Sequence, residues 1–173
     1  MEPDVISYNA AIQACATAVQ PAPALQLFDQ LEASPVDTDR VSFNAILDAV
    51  ASAEPARARK LWKLGCSRDC YEGLERWGAV PALDLHELSE GAAETAVRWW
   101  LEERVPDRVT SASGAAPTRL ELITGWGKSR LVFQNGDVRA RVEAVLREMG
   151  ATALPTDNPG RLAVDASRWL RRG

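Results

Sequence analysis

The first half of the chain repeats itself with a period of 35 residues, and this repeat limits the fold more than any other feature. The segments VISYNAAIQACATA (5–18) and RVSFNAILDAVASA (40–53) align without gaps and share alanines at helical spacing. Each is followed by a second helical pattern, PALQLFDQL (23–31) and ARARKLWKL (56–64). A repeated pair of helices of this length predicts an α-solenoid, in which each unit needs its neighbour to complete a continuous core.

These repeats resemble the pentatricopeptide repeat, a unit that binds single-stranded RNA. The resemblance lies in the 35-residue period, the opening V-I-S-Y-N-A-A-I, and the closing L-F-D-Q-L followed by an aspartate. The main rival is the tetratricopeptide repeat, whose period is one residue shorter and whose Trp-Leu-Gly and Tyr signature is absent. We therefore expect two repeats, at about 5–39 and 40–74, within an N-terminal domain of residues 1–79.

In that family the fifth and the last residue of a repeat together read one base. The resemblance therefore implies that Asn9 and Asp39 of the first repeat contact RNA, a pairing that favours uracil. In the second repeat Asn44 matches Asn9, but the closing position falls near Gly73 or Leu74, whose side chains cannot hydrogen-bond a base edge. The alternative is that Asn9 and Asn44 brace their helices. Two repeats cannot specify a site, so we expect a longer array.

The second half, residues 80–173, changes to short strands that alternate with helices, after a boundary at Pro81. Residues 66–82 leave the repeat and are expected to form one more short helix before Gly78. The expected strands are 80–88, 119–125, 151–155 and 160–164, and the expected helices start after Ser89, ending at Pro106, and after Asp137, ending at Gly150. This alternation predicts a small two-layer α/β sandwich. The expected fold class is therefore a two-domain α+β protein.

This half contains the motifs LDLH (83–86), Ser-x-Gly-Ala-Ala (89–93) and TGWG (124–127). Through these motifs it resembles the Smr (small MutS-related) domain across nearly its whole length. The longer forms ITGWGKSR, VRARVEAVL, NPGRL and WLR are most similar to the pentatricopeptide–Smr proteins of plant and algal organelles. One departure is Glu87, because many Smr domains have glycine after the histidine of this motif. An acidic side chain there would repel a phosphate.

The resemblance implies a role in organellar RNA metabolism. The expected location is the chloroplast, with the mitochondrion as the alternative. The N-terminus MEPDVISYNA is acidic and lacks the character of a transit peptide, so we expect any organellar address to lie outside this sequence.

The chain has one histidine, His86, and an extended strand would present it on the same face as Asp84. Smr domains include nucleases that nick DNA or cut RNA and others for which only binding is evident. For RNA, His86 would transfer the 2′-hydroxyl proton and Asp84 would orient the ring. Alternatively, Asp84 holds a metal ion, or the two form a polar pair that only fixes the turn. One carboxylate and one histidine are a thin ligand set, so we expect no cofactor.

A second candidate site follows the strand at 119–123. Glycines let the backbone approach a phosphate closely, basic residues add positive charge, and a tryptophan either stacks on a base or covers the sheet edge. The candidates are Thr124, Gly125, Trp126, Gly127, Lys128 and Arg130. The turn ends like a nucleotide-binding P-loop, but Leu122 stands where that motif needs glycine, so nucleotide hydrolysis is excluded.

The charge distribution and the cysteine content limit the possible partners and cellular compartments. Residues 1–79 carry a net charge of −4 and residues 80–173 a net charge of zero, so RNA affinity must come from local patches. Three cysteines without paired spacing indicate a reducing compartment, and no apolar stretch reaches the ~18 residues of a membrane span. The expected partner is single-stranded RNA. A non-catalytic adaptor would instead bind RNA, a ribosome or an organellar transcription or translation assembly.

Overall fold

The computed structural model of the protein describes residues 3–111, 117–125, 137–151, 153–154 and 156–166. The chain divides into two compact units, Met1–Glu72 and Gly73–Gly173. In its described residues the first unit is built of helices, whereas the second combines helices with a small mixed sheet. The expected α+β class is therefore confirmed. None of the helices in the described residues combines the length and hydrophobicity that crossing a bilayer requires.

Two helix pairs make up the first unit, as the repeat predicts. They are α1 (Val5–Thr17), α2 (Pro21–Ala33), α3 (Arg40–Val50) and α4 (Pro55–Ser67). The second helix of each pair begins with proline, which costs nothing at a first helical position, where the N–H has no partner in the helix. Phe28 and Phe43 pack edge to face with ring centroids 5.3 Å apart, and Trp62 is buried in the same unit.

The N-termini of α1 and α3 carry the same cap, one repeat apart. Asp4 Oδ1 accepts from the backbone N–H and the hydroxyl of Ser7, at 2.8 and 2.7 Å. Asp39 Oδ1 accepts from the same two groups of Ser42, at 2.9 and 3.0 Å. These bonds satisfy N–H groups that the first turn of a helix leaves open. The Ser7 hydroxyl and backbone N–H also hold the pKa of the Asp4 carboxyl below its ordinary value.

The prediction of a short helix within residues 66–82 is wrong. Helix α4 ends at Ser67, and Gly73 has a φ of +77°, which a continuing helix cannot contain. A short strand, β1 (Glu75–Arg76), follows and pairs antiparallel with β2 (Ala82–Asp84). Residues from Gly73 onward therefore belong to the second unit, and the division falls ahead of residue 80.

The second unit contains a sheet with the strand order β1-β2-β3-β5-β4 within the described residues. The strands not yet introduced are β3 (Arg119–Ile123), β4 (Ala153–Leu154) and β5 (Arg161–Asp165), in agreement with the sequence prediction. Strands β2 and β3 are parallel, while β5 is antiparallel to both β3 and β4. Because parallel strands end at the same edge of a sheet, the residues after Asp84 and Ile123 become neighbours.

Helix α5 (Glu90–Trp99) does not end at Pro106, so that prediction is wrong. It continues through a π-helical turn (Trp100–Arg104) into α6 (Val105–Ser111). The proline is accommodated because it falls in the first turn of α6, where its missing N–H is tolerated, directly after a turn with a different hydrogen-bond pattern.

Helix α7 (Val138–Glu148) begins and ends as predicted. Asp137 Oδ1 accepts from the backbone N–H of Ala140 at 3.1 Å, and Gly150 follows the helix with a φ of +72°. Glu94 of α5, almost fully buried, binds Arg141 of α7 and so ties the two helices together.

Candidate functional site

Asp84 and His86 contact each other at the end of β2. His86 Nδ1 lies 2.6 Å from Asp84 Oδ1, and the His86 backbone N–H donates to the same oxygen at 3.3 Å. The Asp84 side chain is 5% exposed, whereas that of His86 is 49% exposed. An ionised carboxylate can only accept a hydrogen bond, so Nδ1 carries the proton of this contact and Nε2 is the basic nitrogen of the neutral ring. A buried anion thus orients a half-exposed imidazole.

Arg76 holds the other oxygen of the same carboxylate, with Nη2 2.5 Å from Asp84 Oδ2. The pairing of β1 with β2 explains the contact, because Arg76 lies opposite Ala82 and residues 82 and 84 share one face of the strand. The sequence prediction missed Arg76 because it assigned this segment to a helix. No motif marks the residue, and only the register of the two strands identifies it.

Gly125, the second residue of the TGWG motif, lies against His86. The backbone N–H of Leu85 donates to the carbonyl of Ile123 at 2.8 Å, which continues the pairing of β2 and β3 to the residue before the histidine. Gly125 has a φ of +77°, and a Cβ built on it would lie 3.2 Å from His86 Cβ. The structure therefore brings the two motifs together at a turn where a side chain on residue 125 would crowd His86.

Two backbone N–H groups of this turn are already occupied by the protein. Those of Thr124 and Gly125 both donate to the carbonyl of Gly160, at 2.9 and 3.1 Å. The Gly160 N–H in turn donates to Asn158 Oδ1 at 2.8 Å. These two N–H groups are therefore not directed at a phosphate. Any phosphate contact of the backbone, as predicted for this motif, would have to come from residues after Gly125. Those later candidates, Trp126, Gly127, Lys128 and Arg130, lie outside the described residues.

Glu87 lies beside the outer nitrogen of the histidine. Its Oε1 is 3.5 Å from His86 Nε2, and its side chain is 55% exposed. The distance is too long for a strong hydrogen bond, but it sets a negative charge next to the nitrogen that would exchange a proton. This is the position at which the sequence departs from the Smr pattern.

In the helical unit, two of the candidate base-reading side chains make structural contacts. Asp39 is the cap of α3, and Asn44 Oδ1 accepts from the hydroxyl of Tyr71 at 3.1 Å. Burial raises the pKa of Tyr71 well above its ordinary value, so the phenol stays protonated and donates. Asn9 Oδ1 is buried and has no hydrogen-bond partner among the described residues. The bracing role considered for Asn44 therefore has a defined contact.

Two exposed apolar side chains, Ile6 and Val41, occupy the same position in successive repeats. They are 73% and 57% exposed. Each stands three residues before Asn9 or Asn44, and residues three apart share a face of a helix. The sequence prediction missed them, although the 35-residue alignment pairs two large apolar residues at a helix start.

No family model matches the chain. Two curated proteins of Arabidopsis thaliana are similar to it. Pentatricopeptide repeat-containing protein At1g18900 is 28% identical over 124 residues, which cover 65% of this chain. Pentatricopeptide repeat-containing protein At1g74750 is 28% identical over 119 residues, covering 62%. The chain spans only 14% and 13% of the length of these relatives. The similarity supports the pentatricopeptide-repeat prediction, and neither name mentions an Smr domain, which stays a prediction.

Proposed function

We propose that the protein binds single-stranded RNA in organellar RNA metabolism, through the helical repeats of the first unit, and cuts RNA through an Smr domain in the second unit. The observation that carries the proposal is the pair of Asp84 and His86. A buried carboxylate lies 2.6 Å from Nδ1 of the only imidazole in the chain, and that imidazole is half exposed. This arrangement suits proton transfer at a bound substrate.

The proposed reaction begins with His86 Nε2, which takes the proton of an RNA 2′-hydroxyl. The 2′-oxygen attacks the adjacent phosphorus, the bond from phosphorus to the 5′-oxygen breaks, and the leaving oxygen takes a proton from solvent. The products are a 2′,3′-cyclic phosphate and a 5′-hydroxyl. Asp84 keeps the ring in the required tautomer and stabilises the imidazolium that forms, while Arg76 binds the second oxygen of the carboxylate.

Support for RNA binding by the first unit comes from the similarity to two pentatricopeptide repeat-containing proteins. Ile6 and Val41 add to it, because exposed apolar side chains one repeat apart offer contacts to the faces of successive bases. Asn9, Asp39 and Asn44 remain the proposed base-reading residues. The proposed location is the chloroplast, with the mitochondrion as the alternative.

The second candidate function is a non-catalytic adaptor that binds RNA, a ribosome or an organellar transcription or translation assembly. Glu87 favours it, since its carboxylate is 3.5 Å from His86 Nε2 and opposes the approach of a phosphate to that nitrogen. The pair of Asp84 and His86 would then act only as a brace for the turn after β2.

The test is a binding and cleavage assay on end-labelled single-stranded RNA with the wild type, His86→Ala and Glu87→Gln. Loss of a positioned general base costs about 10²- to 10⁴-fold, so His86→Ala should cut at least a hundredfold more slowly and bind RNA as before. Glu87→Gln should cut as well as the wild type or better. Equal cutting by wild type and His86→Ala would refute the catalytic role. Binding without cutting by the wild type would favour the adaptor, and no RNA affinity would refute the nuclease and an adaptor that binds RNA.

A further inference from the structure

We propose that Arg76 is a phosphate-binding residue of the Asp84–His86 site and contacts the RNA backbone next to the bond that His86 acts on. The inference rests on the proposed function and names a residue of the same site that no motif contains. The guanidinium of Arg76 binds a protein carboxylate through one nitrogen, and the side chain is otherwise exposed.

The contacts of Arg76 leave most of its donors available. One nitrogen, Nη2, binds Asp84 Oδ2 at 2.5 Å, and the side chain is 59% exposed. A guanidinium carries five N–H donors, and the structure gives Arg76 no further partner among the described residues. An end-on contact of this kind does not use the pair of parallel donors that binds two oxygens of a phosphate.

Arg76 and His86 stand on either side of one carboxylate. Asp84 binds the guanidinium through Oδ2 and the imidazole through Oδ1, so the two groups are separated only by the width of the carboxylate and one hydrogen bond on each side. Both are exposed, whereas the carboxylate between them is buried. We therefore place the phosphodiester on the guanidinium and its flanking ribose toward His86 Nε2, the ring nitrogen that does not face the carboxylate.

Arg119 lies on the same sheet but away from the histidine. Arg119 and Arg161 both pair with Glu121, which lies between them on the sheet. Arg119 begins β3, whereas the histidine lies at the other end of the paired strands, next to Ile123. It is 48% exposed and bound to one carboxylate, much as Arg76 is. Arg119 is therefore a matched control for loss of an exposed, ion-paired arginine.

The experiment measures the affinity of the full chain for a labelled 2′-O-methyl oligouridylate, which cannot be cut, at several salt concentrations. Each phosphate contact to a single strand contributes about 0.7 to the slope of log affinity against log salt. Arg76→Gln should lower the slope by about 0.7 and the low-salt affinity on the order of tenfold, the size of one charge-assisted hydrogen bond. Arg119→Gln should change neither quantity.

If Arg76 only holds Asp84 in place and does not contact RNA, these measurements would give a different result. Arg76→Gln would then lower the melting temperature but keep the wild-type slope, which would overturn the inference and leave RNA binding intact. Should Arg76→Gln fail to fold, Arg76→Lys keeps the charge without the planar fork, and it should keep the slope and lose affinity. Wild-type affinity for Arg76→Lys would overturn the inference. A wild-type chain without RNA affinity would overturn the proposed function as well.

Discussion

Replacement of Gly125 by alanine tests whether the TGWG turn positions the histidine. Gly125 has a φ of +77°, and the new Cβ would lie 3.2 Å from His86 Cβ. Gly150 provides the control, because its φ is +72° and a Cβ there would meet nothing within 4 Å. Both variants carry the same backbone cost, and only one of them contacts the site.

The magnitudes follow from these two environments. Alanine in the left-handed region costs about 1–2 kcal/mol, and the stiffer unfolded chain returns roughly 0.4–1 kcal/mol, so Gly150→Ala should lose about 1 kcal/mol. At Gly125 the contact is shorter than the favourable carbon–carbon separation of about 3.5–4.0 Å. The neighbour is the first side-chain atom of a residue held by Asp84, so an overpacking cost of about 1–3 kcal/mol is added.

Two measurements separate these variants. Thermal unfolding should show a larger loss of melting temperature for Gly125→Ala, since 1 kcal/mol corresponds to about 4–8 °C for a unit of this size. Proton NMR of the single histidine should show shifted ring resonances for Gly125→Ala and unchanged ones for Gly150→Ala. Identical histidine spectra and equal melting temperatures for the two variants would refute the contact between Gly125 and His86.

Two further predictions concern charged contacts. Glu32 is paired with Arg68 (Oε2–Nη2 2.6 Å), and hydrogen bonding to this guanidinium lowers the pKa of the Glu32 carboxyl. Because the folded pKa lies below the unfolded value, the pair stabilises above that value and the contribution is lost as pH falls through the lowered pKa. Glu32→Gln should therefore cost about 0.5–1 kcal/mol in urea unfolding at pH 7 for this partly exposed pair, and a cost that does not shrink as the pH falls through the acid range would contradict the linkage. Arg141→Ala leaves the buried Glu94 with a weakened set of partners and should cost about 3 kcal/mol, whereas the double variant with Glu94→Leu and Arg141→Leu should cost less. An equal or greater loss in the double variant would show that the pair itself stabilises the fold.

The sequence predicts the helices and longer strands because their patterns are local. Alanines and larger apolar residues recur at helical spacing twice, 35 residues apart, and the helix pairs follow from this. Strand β3 and helix α7 are equally local, the first as an alternating run and the second between Asp137 and Gly150. Each single helix or strand follows from its own consecutive residues.

Features that depend on strand pairing, or on how a helix accommodates a proline, cannot be predicted from local sequence patterns. Strand β1 is two residues long and has no period of its own, so only its pairing with β2 reveals it and Arg76 with it. The helix continues past Pro106 because a π-helical turn precedes it, and no residue type marks that turn. Both misses come from contacts or geometry that a pattern of apolar residues does not encode.

The candidate site shows the same division. The strand expected over 80–88 predicted that Asp84 and His86 lie together, and they do, although β2 ends at Asp84 and His86 lies in the turn that follows. The proximity of Gly125 to the histidine depends on the parallel pairing of β2 with β3. The engagement of the Thr124 and Gly125 N–H groups by Gly160 requires the strand β5 that follows it, far along the chain, and the sequence prediction assigned N–H groups of this turn to a phosphate.

The central claim is that His86, oriented by Asp84, cuts RNA through the 2′-hydroxyl without a metal. The most direct measurement is the chemical identity of the ends formed when wild type and His86→Ala are incubated with labelled RNA in the presence of a chelator. We predict 2′,3′-cyclic phosphate and 5′-hydroxyl ends for the wild type and intact RNA for His86→Ala. Cleavage that requires a divalent ion, ends of another chemistry, or equal cleavage by the two proteins would contradict the claim.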